Sequence, residues 1–283
     1  MTYSSTVNSL PGTTGTPKLY RDRTTPAVFR GAALHWPAVQ QWTFNRIGAL
    51  APDLPVNLVV GNREKDPTQF TASTLGRYTD RLARRSSPQE SGLYLKEFDL
   101  LTQFPDLRHE LRQNELFPRW SITSSSAWMG PAGARTGLHH DFLDNFAVVI
   151  SGKKRFLLAE RGSVEMLGKV SDKYDSWARL SFVSFEEIVH SRSPFQLFTV
   201  DLMPGDVLFV PAFWWHEVVN LSPSILLSGF FGSSPRVAVK WATVKTRDAM
   251  HYTGLIGRGH CTCHGHRPCH GRNGAPPVHG KAV

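Results

Sequence analysis

Cysteine is nearly absent from this chain of 283 residues. The three cysteines, Cys261, Cys263 and Cys269, lie within nine positions of one another near the C-terminus. The residues before them therefore contain neither a disulfide nor a cysteine nucleophile. This distribution is typical of proteins that work in a reducing compartment.

Long apolar runs are absent as well. The most apolar stretches, residues 146–150 and 225–231, have the length of strands and are far shorter than the roughly 20 residues of a membrane-spanning helix. Residues 1–17 are rich in serine, threonine and glycine, and they lack the basic and then apolar pattern of a secretory signal. We therefore expect a cytoplasmic protein without a membrane partner.

Acidic residues are outnumbered by basic ones. The chain has 23 Asp and Glu against 32 Lys and Arg, which gives a net charge of +9. After residue 250 the sequence contains Arg258, Arg267, Arg272 and Lys281 and no acidic residue. Charge alone favours a simply solvated basic surface, and an acidic partner such as a nucleic acid is the alternative interpretation.

The first half of the chain combines helical and strand patterns. Leu75, Tyr78 and Leu82 have helical spacing and predict a helix over residues 73–85 with Ser73 as its N-cap. Further helices are predicted at residues 36–42 and 104–116, and strands at residues 26–30, 56–60 and 92–95. The hydrophobic fraction of 41% supports a large core.

From residue 121 the pattern changes to short apolar runs separated by Gly, Pro, Asp and Ser. Many short strands at such spacing predict a sandwich or a barrel. A hairpin turn is expected at residues 150–154, a tight turn at residues 203–206 and a closing helix at residues 235–250. The predicted strands cover residues 124–129, 138–141, 146–150, 155–159, 195–201, 207–210, 215–219 and 225–231.

Two histidines and one aspartate form a candidate metal site. His139 and Asp141 are two residues apart on a predicted strand, so both side chains point to one face while His140 points away. His216 follows another predicted strand and offers a third ligand. Two imidazoles and one carboxylate are the facial triad of non-haem Fe(II) oxygenases. Taken singly, each residue also fits a solvated or core position, and the combination favours iron.

Three motifs carry a resemblance to a known family. They are Thr136-x-x-His-x-Asp-x-x-x-Asn145, Gly152-Lys-Lys-Arg155 and the segment from Pro204 to His216. Together they resemble the JmjC-type cupin-like oxygenases, especially the branch of the asparaginyl hydroxylase that inhibits hypoxia-inducible factor. The resemblance runs from about residue 26 to residue 231. It implies a mostly β fold, a double-stranded β-helix (jelly roll) with flanking N- and C-terminal helices.

The same resemblance implies the cosubstrate 2-oxoglutarate beside Fe(II). It assigns Lys154 to the far carboxylate of 2-oxoglutarate, with help from the hydroxyls of Thr136 and Tyr94, and Asn145 to its other end. From the residues alone, Lys154 also fits a solvated turn and Tyr94 a core aromatic. The chain departs from the family pattern at Gly229, where the hydroxylase has a polar residue near the iron.

The implied activity is a 2-oxoglutarate-dependent dioxygenase that hydroxylates a protein or peptide side chain and releases succinate and CO2. An RNA or small-metabolite hydroxylase is the alternative, and a non-catalytic binding module of the same fold ranks below both. Such modules usually lose a metal ligand or the keto-acid cation, and this chain keeps His139, Asp141, His216 and Lys154. Residues 128–135 and 162–185 are the candidate substrate-selecting segments.

The predicted domain organisation has three parts. Residues 1–25 are expected to be a flexible leader, residues 26–250 the catalytic domain and residues 251–283 a low-complexity tail. The tail holds three cysteines and four histidines between His260 and His270, a soft ligand set that suits Zn, Cu(I) or Ni. Because the spacing matches no zinc-finger pattern, the favoured interpretation is a disordered tail with opportunistic metal affinity.

Overall fold

Strands dominate the second half of the chain and short helices the first. The computed structural model describes residues 7–13, 24–84, 92–116, 122–191, 194–232, 234–257 and 259–263. Its strands are β1 (Val7–Ser9), β2 (Ala27–Phe29), β3 (Pro55–Val60), β4 (Phe70–Thr74), β5 (Leu93–Phe98), β6 (Ile122–Gly130), β7 (Arg135–Asp141), β8 (Asp144–Ser151), β9 (Lys154–Ala159), β10 (Ala178–Leu180), β11 (Leu197–Leu202), β12 (Val207–Val210), β13 (Trp215–Asn220) and β14 (Ser224–Phe231). Its α-helices are α1 (Pro37–Gln41), α2 (Phe44–Leu50), α3 (Leu75–Ala83), α4 (Leu100–Gln103), α5 (Gln113–Leu116), α6 (Ser163–Met166), α7 (Phe185–His190) and α8 (Ser234–Tyr252).

The strands form two sheets. The first sheet has the order β1-β11-β9-β13-β7-β10, and the second has the order β2-β12-β8-β14-β6-β5-β3-β4. From β6 to β9 and from β11 to β14, successive strands alternate between the two sheets. This winding confirms the predicted double-stranded β-helix, with helices before it and α8 after it.

Both faces of β8 in the second sheet are buried, which explains its continuous apolar run. Phe146, Val148 and Ile150 of β8 face the helices of the first half, where they join the largest apolar cluster. Ala147 and Val149 alternate with them and face the inside of the barrel. A strand that is covered on both sides loses the apolar and polar alternation of a half-exposed one.

The first-half helices depart from prediction in two details. Helix α3 is capped by Thr74, whose hydroxyl accepts a hydrogen bond from the backbone N–H of Arg77, while Ser73 lies within the preceding strand β4. The single helix predicted over residues 104–116 is instead a 3-10 helix, Pro105–Glu110, followed by α5. Leu111 is extended between the two, and the break lets it pack in the same apolar cluster as Leu107 and Leu116.

The predicted flexible leader contains ordered structure. Strand β1 pairs in parallel with β11, and Leu10 directly after it is buried. Further along, the indole N–H of Trp214 donates a hydrogen bond of 2.7 Å to the carbonyl of Thr24. Residues 1–6 and 14–23 of the leader lie outside the described residues.

The turn at residues 150–154 is tight, but it does not form a hairpin. It connects β8 of the second sheet with β9 of the first, so the strands that it joins are not hydrogen-bonded to each other. Gly152 has a φ of 78°, and a Cβ there would lie 2.0 Å from the carbonyl oxygen of Pro223. Only glycine therefore fits this crossing between the sheets.

None of the described helices is long and apolar enough to cross a membrane.

Candidate metal centre and its pocket

The structure brings the three predicted metal ligands together at the inner face of the first sheet. His139 and Asp141 lie on β7, and His216 of β13 pairs directly opposite His139. Nε2 of His216 is 3.6 Å from Oδ2 of Asp141, and Nε2 of His139 is 4.0 Å from Oδ1 of the same carboxylate. The potential ligand atoms of all three residues lie within 4.8 Å of one another, a separation that one ion can bridge.

Hydrogen bonds hold both imidazoles in the form that binds a metal. Nδ1 of His139 lies 2.7 Å from the carbonyl oxygen of Gly137, and Nδ1 of His216 lies 3.0 Å from that of Trp214. A carbonyl oxygen only accepts, so each Nδ1 carries the proton and each Nε2 keeps its lone pair. Burial lowers the pKa of His216 well below its usual value, which also favours the neutral ring. This donor set fits Fe(II).

A one-residue bulge in β7 shapes the site. His216 pairs with His139, but Val218, two residues later, pairs with Thr136, three residues earlier. The extra residue turns Thr136 to the same cavity as His139, whereas strict alternation would turn it away. Gly137 lies in the bulge, where a Cβ would come within 2.6 Å of the Asn62 side chain.

A buried ion pair supports this bulge from outside the barrel strands. Glu64 accepts hydrogen bonds from the backbone N–H of Gly137 at 3.1 Å and from Nζ of Lys96 at 2.7 Å. Burial alone would raise the pKa of the Glu64 carboxyl, but Lys96 and Arg63 outweigh it and hold this pKa at about 2. Burial lowers the pKa of Lys96 to about 8, and Glu64 limits that fall. Glu64 is therefore ionised and fixed at neutral pH.

His140 faces the opposite side of the strand, as the alternation predicts. Its ring packs edge-on against Trp215, with centroids 4.6 Å apart, and against Phe142 and Phe213. Burial lowers the pKa of His140 to about 4. His140 packs among aromatic side chains and does not line the cavity.

The three candidate ligands open into a cavity of about 1560 Å³. Both sheets and the helical first half line it, and so does the segment before β10. The polar and aromatic residues of this wall include Tyr94, Lys96, Trp128, Thr136, Asn145, Lys154, Asp175, Trp177, Ser228 and Cys263. Of the two predicted substrate-selecting segments, residues 162–185 contribute Asp175 and Trp177, and residues 128–135 contribute Trp128.

Lys154 is a fully buried amine inside this cavity. Its side chain points inward with Phe156 and Leu158 of the same strand, and it is 0% exposed. Nζ donates hydrogen bonds to the Tyr94 hydroxyl at 2.7 Å and to Oδ1 of Asn220 at 2.6 Å. Burial, followed by the charge of Lys96, lowers the pKa of Lys154 to about 7. Among the described residues, its hydrogen-bond partners are neutral.

Other polar groups of the cavity either bond to each other or lack a hydrogen-bond partner. The Tyr94 hydroxyl forms a hydrogen bond with Thr136, so these two predicted residues meet beside Lys154. Within the described part of the chain, Oδ1 of Asn145 and the indole N–H of Trp128 are buried without a hydrogen-bond partner. Buried polar groups rarely remain unpaired, so these atoms fit a polar ligand in the cavity. The donors among them, the indole N–H of Trp128 together with Nζ of Lys154, fit the carboxylates of a dicarboxylate such as 2-oxoglutarate.

The predicted departure at Gly229 does not leave the last strand without a polar group. Leu226, Ser228 and Phe230 of β14 line the cavity, and Gly229 between them does not. Ser228 is buried and supplies a hydroxyl-bearing residue there. The inward face of a strand follows a period of two, so Ser228 is directed to the cavity and Gly229 is not.

Sequence reasoning missed three residues of the site. Asn220 pairs directly opposite Lys154, and the two-residue period from His216 through Val218 to Asn220 is a signal that could have found it. Glu64 and Lys96 carry no comparable signal, because they reach the site from the loop after β3 and from β5.

The model of one protein family matches most of the chain. Its description is "Cupin-like domain", and the match covers residues 16–236. This range contains all the residues assigned above to the metal centre and to the surroundings of Lys154.

Three similar proteins differ in what their names state. The chain is 30% identical over 217 residues to "Lysine-specific demethylase JMJ30" of Arabidopsis thaliana, with 72% of the chain and 49% of the relative covered. It is 28% identical over 141 residues to "tRNA wybutosine-synthesizing protein 5" of Gallus gallus, with 48% and 42% covered. It is 26% identical over 232 residues to human "Bifunctional peptidase and (3S)-lysyl hydroxylase JMJD7", with 68% and 72% covered. The chain thus spans about half the length of the first two relatives.

We expect His139→Ala to abolish Fe(II) binding and His140→Ala to preserve it. The two histidines are adjacent and both buried, but only His139 directs Nε2 into the cavity. Anaerobic calorimetric titration with Fe(II) measures both variants, and circular dichroism checks that each is folded. Unchanged Fe(II) affinity in folded His139→Ala would show that the metal is not held by His139.

Proposed function

Because this chain belongs to the family of the cupin-like domain, we propose that it is an Fe(II)- and 2-oxoglutarate-dependent dioxygenase. In the proposed reaction, one atom of dioxygen enters a C–H bond of the substrate as a hydroxyl. The other atom enters succinate, and 2-oxoglutarate loses CO2. The observation that carries the proposal is that the two-histidine, one-aspartate group and the buried Lys154 amine open into one cavity. A keto diacid needs a metal for its keto acid end and a cation for its far carboxylate.

Different residues would bind the iron and orient 2-oxoglutarate. Iron supplies the activation of dioxygen when it is bound. His139, Asp141 and His216 would hold it and would leave coordination positions for the keto acid. Lys154 provides a charge-assisted hydrogen bond to the far carboxylate, and the Tyr94 hydroxyl helps to orient the Lys154 amine.

The charge of Lys154 makes the site selective. A charged amine inside an apolar barrel is unfavourable without a counter-ion, as its lowered pKa shows. The far carboxylate of 2-oxoglutarate would supply that counter-ion. Keto acids without a second carboxylate would leave the amine unpaired, and we therefore expect the protein to reject them.

We propose a protein or peptide side chain as the substrate. The cavity of about 1560 Å³ exceeds the roughly 300–1,000 Å³ that is typical of small-molecule sites, which leaves room for a residue of a longer chain beside 2-oxoglutarate. Two of the relatives are named for action on lysine. On a methylated nitrogen the same hydroxylation would end in demethylation.

RNA is a second candidate substrate because of a basic and aromatic patch next to the metal ligands. Phe142 follows Asp141, and the N–H of Phe213 donates to the carbonyl of Asp141. Nζ of Lys240 lies 4.7 Å from the centre of the Phe213 ring, and the Arg247 guanidinium lies 5.4 Å from that of Phe142. Aromatic rings beside cations are the contacts that single-stranded RNA uses, and one relative is named for tRNA modification.

The cytoplasm is the proposed location. Fe(II) and thiols are both maintained in a reducing compartment, and the cysteines of this chain are confined to its last 23 residues.

We expect Lys154→Met to raise the KM for 2-oxoglutarate about ten- to hundredfold, because a charged hydrogen bond contributes roughly 1.5–3 kcal/mol. The adjacent Lys153 is exposed, so Lys153→Met is a matched control that should leave this KM unchanged. Succinate release measures both variants. An unchanged KM in Lys154→Met would assign the far carboxylate to another cation.

The affinity for 2-oxoglutarate should decrease as the pH rises above about 7. Below that pH the Lys154 amine is already charged, and above it a proton must be taken up on binding. Since one pKa unit corresponds to a tenfold change, affinity should fall roughly tenfold between about pH 6 and pH 8. Calorimetry in buffers of different ionisation enthalpy detects the proton uptake. 2-Oxobutyrate, which lacks the far carboxylate, should show no such uptake.

The substrate class is tested with isotopically heavy dioxygen. The protein, Fe(II) and 2-oxoglutarate are incubated with peptide and RNA fractions, and mass spectrometry follows the gain of one heavy oxygen atom, about 18 Da. Asp141→Ala serves as the inactive control. Label in peptides supports the proposal, and label in RNA alone would favour the second candidate. Succinate formation equal to that of Asp141→Ala with every fraction would contradict the activity itself.

A further inference from the structure

A second group of metal-binding side chains lies outside the proposed iron site. His251 at the end of α8, Cys261 and Cys263 offer one imidazole nitrogen and two sulfur atoms that all lie within 4.8 Å of one another. His251 is 0% exposed and Cys261 is 4% exposed. This burial differs from the disordered tail with opportunistic metal affinity that the sequence favours. Cys269 and the histidines after Cys263 lie outside the described residues.

The imidazole of His251 is prepared for a metal in the same way as those of His139 and His216. Its Nδ1 lies 3.0 Å from the carbonyl oxygen of Ile256, so this nitrogen carries the proton. Nε2 therefore keeps its lone pair, and it points at Sγ of Cys263 from a distance of 3.2 Å. A hydrogen-bonded carbonyl behind a histidine ligand is the usual arrangement at metal centres.

The ligand types favour a soft cation. Zinc binds sulfur at about 2.3 Å and nitrogen at about 2.0 Å in a tetrahedron, which places the two ligand atoms roughly 3.5 Å apart. The observed separation of 3.2 Å between Nε2 and Sγ is close to this value. Fe(II) in an oxygenase prefers imidazole and carboxylate, so the two ligand sets of this chain select different metals.

We propose that His251, Cys261 and Cys263 form a structural zinc site. The bound zinc would hold residues 259–263 against the wall of the catalytic cavity. A zinc ion would replace the thiol protons and neutralise the two thiolates that it binds. These three ligands leave one position of the tetrahedron for water or for a further group of the chain.

The surrounding contacts position the ligands before any metal binds. Residues 260–262 bridge to Tyr174, whose N–H donates to the carbonyl of His260 and whose carbonyl accepts from the N–H of Thr262. The hydroxyl of Thr68 donates to the carbonyl of Cys261 at 2.7 Å. The ring of Tyr174 stacks on His251 with centroids 4.1 Å apart. Segments that are distant in sequence thus converge on the proposed ion.

The proposed ion lies at the wall of the catalytic cavity. Cys263 and Asp175 both line that cavity, and Asp175 accepts a hydrogen bond of 2.6 Å from the hydroxyl of Thr262. Arg247 of α8 in turn donates to the carbonyl of Asp175. Fixing Cys261 and Cys263 to His251 therefore fixes a part of the wall that leads into β10, whose Ala178 pairs with Asp141.

The test measures zinc in the purified full-length protein. We expect about one zinc ion per chain, bound tightly enough to survive gel filtration, and close to none in Cys261→Ser, Cys263→Ser or His251→Ala. His260→Ala is the matched control, because this neighbour is half exposed and pairs with Asp172, so its zinc content should be unchanged. His139→Ala should also keep its zinc, which separates this site from the proposed iron site.

A second measurement needs no variant. The native protein is stripped with a chelator and titrated with Co²⁺, whose thiolate charge-transfer absorption reports sulfur ligands directly. We expect this absorption to saturate at one equivalent, to disappear on addition of Zn²⁺, and to be accompanied by recovery of a lowered Tm. Absence of the absorption, or mass spectrometry that shows a disulfide between Cys261 and Cys263 in the freshly purified protein, would overturn the proposal. Either result would leave the iron chemistry untouched.

Discussion

The burial of the Lys154 amine inside an apolar barrel is the constraint on which the proposed chemistry depends. The side chain is fully buried on the inner face of β9, beside Phe156 and Leu158. Its pKa of about 7 expresses how unfavourable the charge is there without an anion. Tyr94 and Asn220 accept two of its hydrogen bonds but carry no charge. The far carboxylate of a dicarboxylate would supply the missing counter-ion. The unfavourable charge of Lys154 would therefore select ligands with a second carboxylate.

The bulge in β7 decides which side chains share the cavity with the proposed metal ligands. Without the extra residue, Thr136 would face away from the cavity that contains His139. The bulge is held by Glu64, which remains ionised because Lys96 and Arg63 compensate for its burial. A buried ion pair seldom adds much net stability. Here its effect is on geometry, since it fixes the backbone of Gly137 two residues before the proposed metal ligand His139.

The two proposed metal sites of the molecule have contrasting ligands and contrasting tasks. Imidazole and carboxylate at the barrel interior leave coordination positions open for chemistry, whereas two sulfurs and one imidazole at the cavity wall suit an ion that only fastens chain segments. Helix α8 links the two regions, because it carries His251 at its end and Lys240 and Arg247 beside the aromatic rings near Asp141. This part of the cavity wall is therefore assembled from segments that meet only in the folded protein.

Features that depend on local periodicity could be predicted from the sequence alone. The short apolar runs predicted the barrel, the His-x-Asp spacing placed His139 and Asp141 on one face, and the motif resemblance selected Lys154. Only the tertiary structure decided how strands are aligned with one another: the bulge that turns Thr136 inward, the pairing of Asn220 with Lys154, and the burial of Cys261. Side-chain direction along a strand follows a local period of two, but register, bulges and contacts between distant segments are set by the packing of the whole chain.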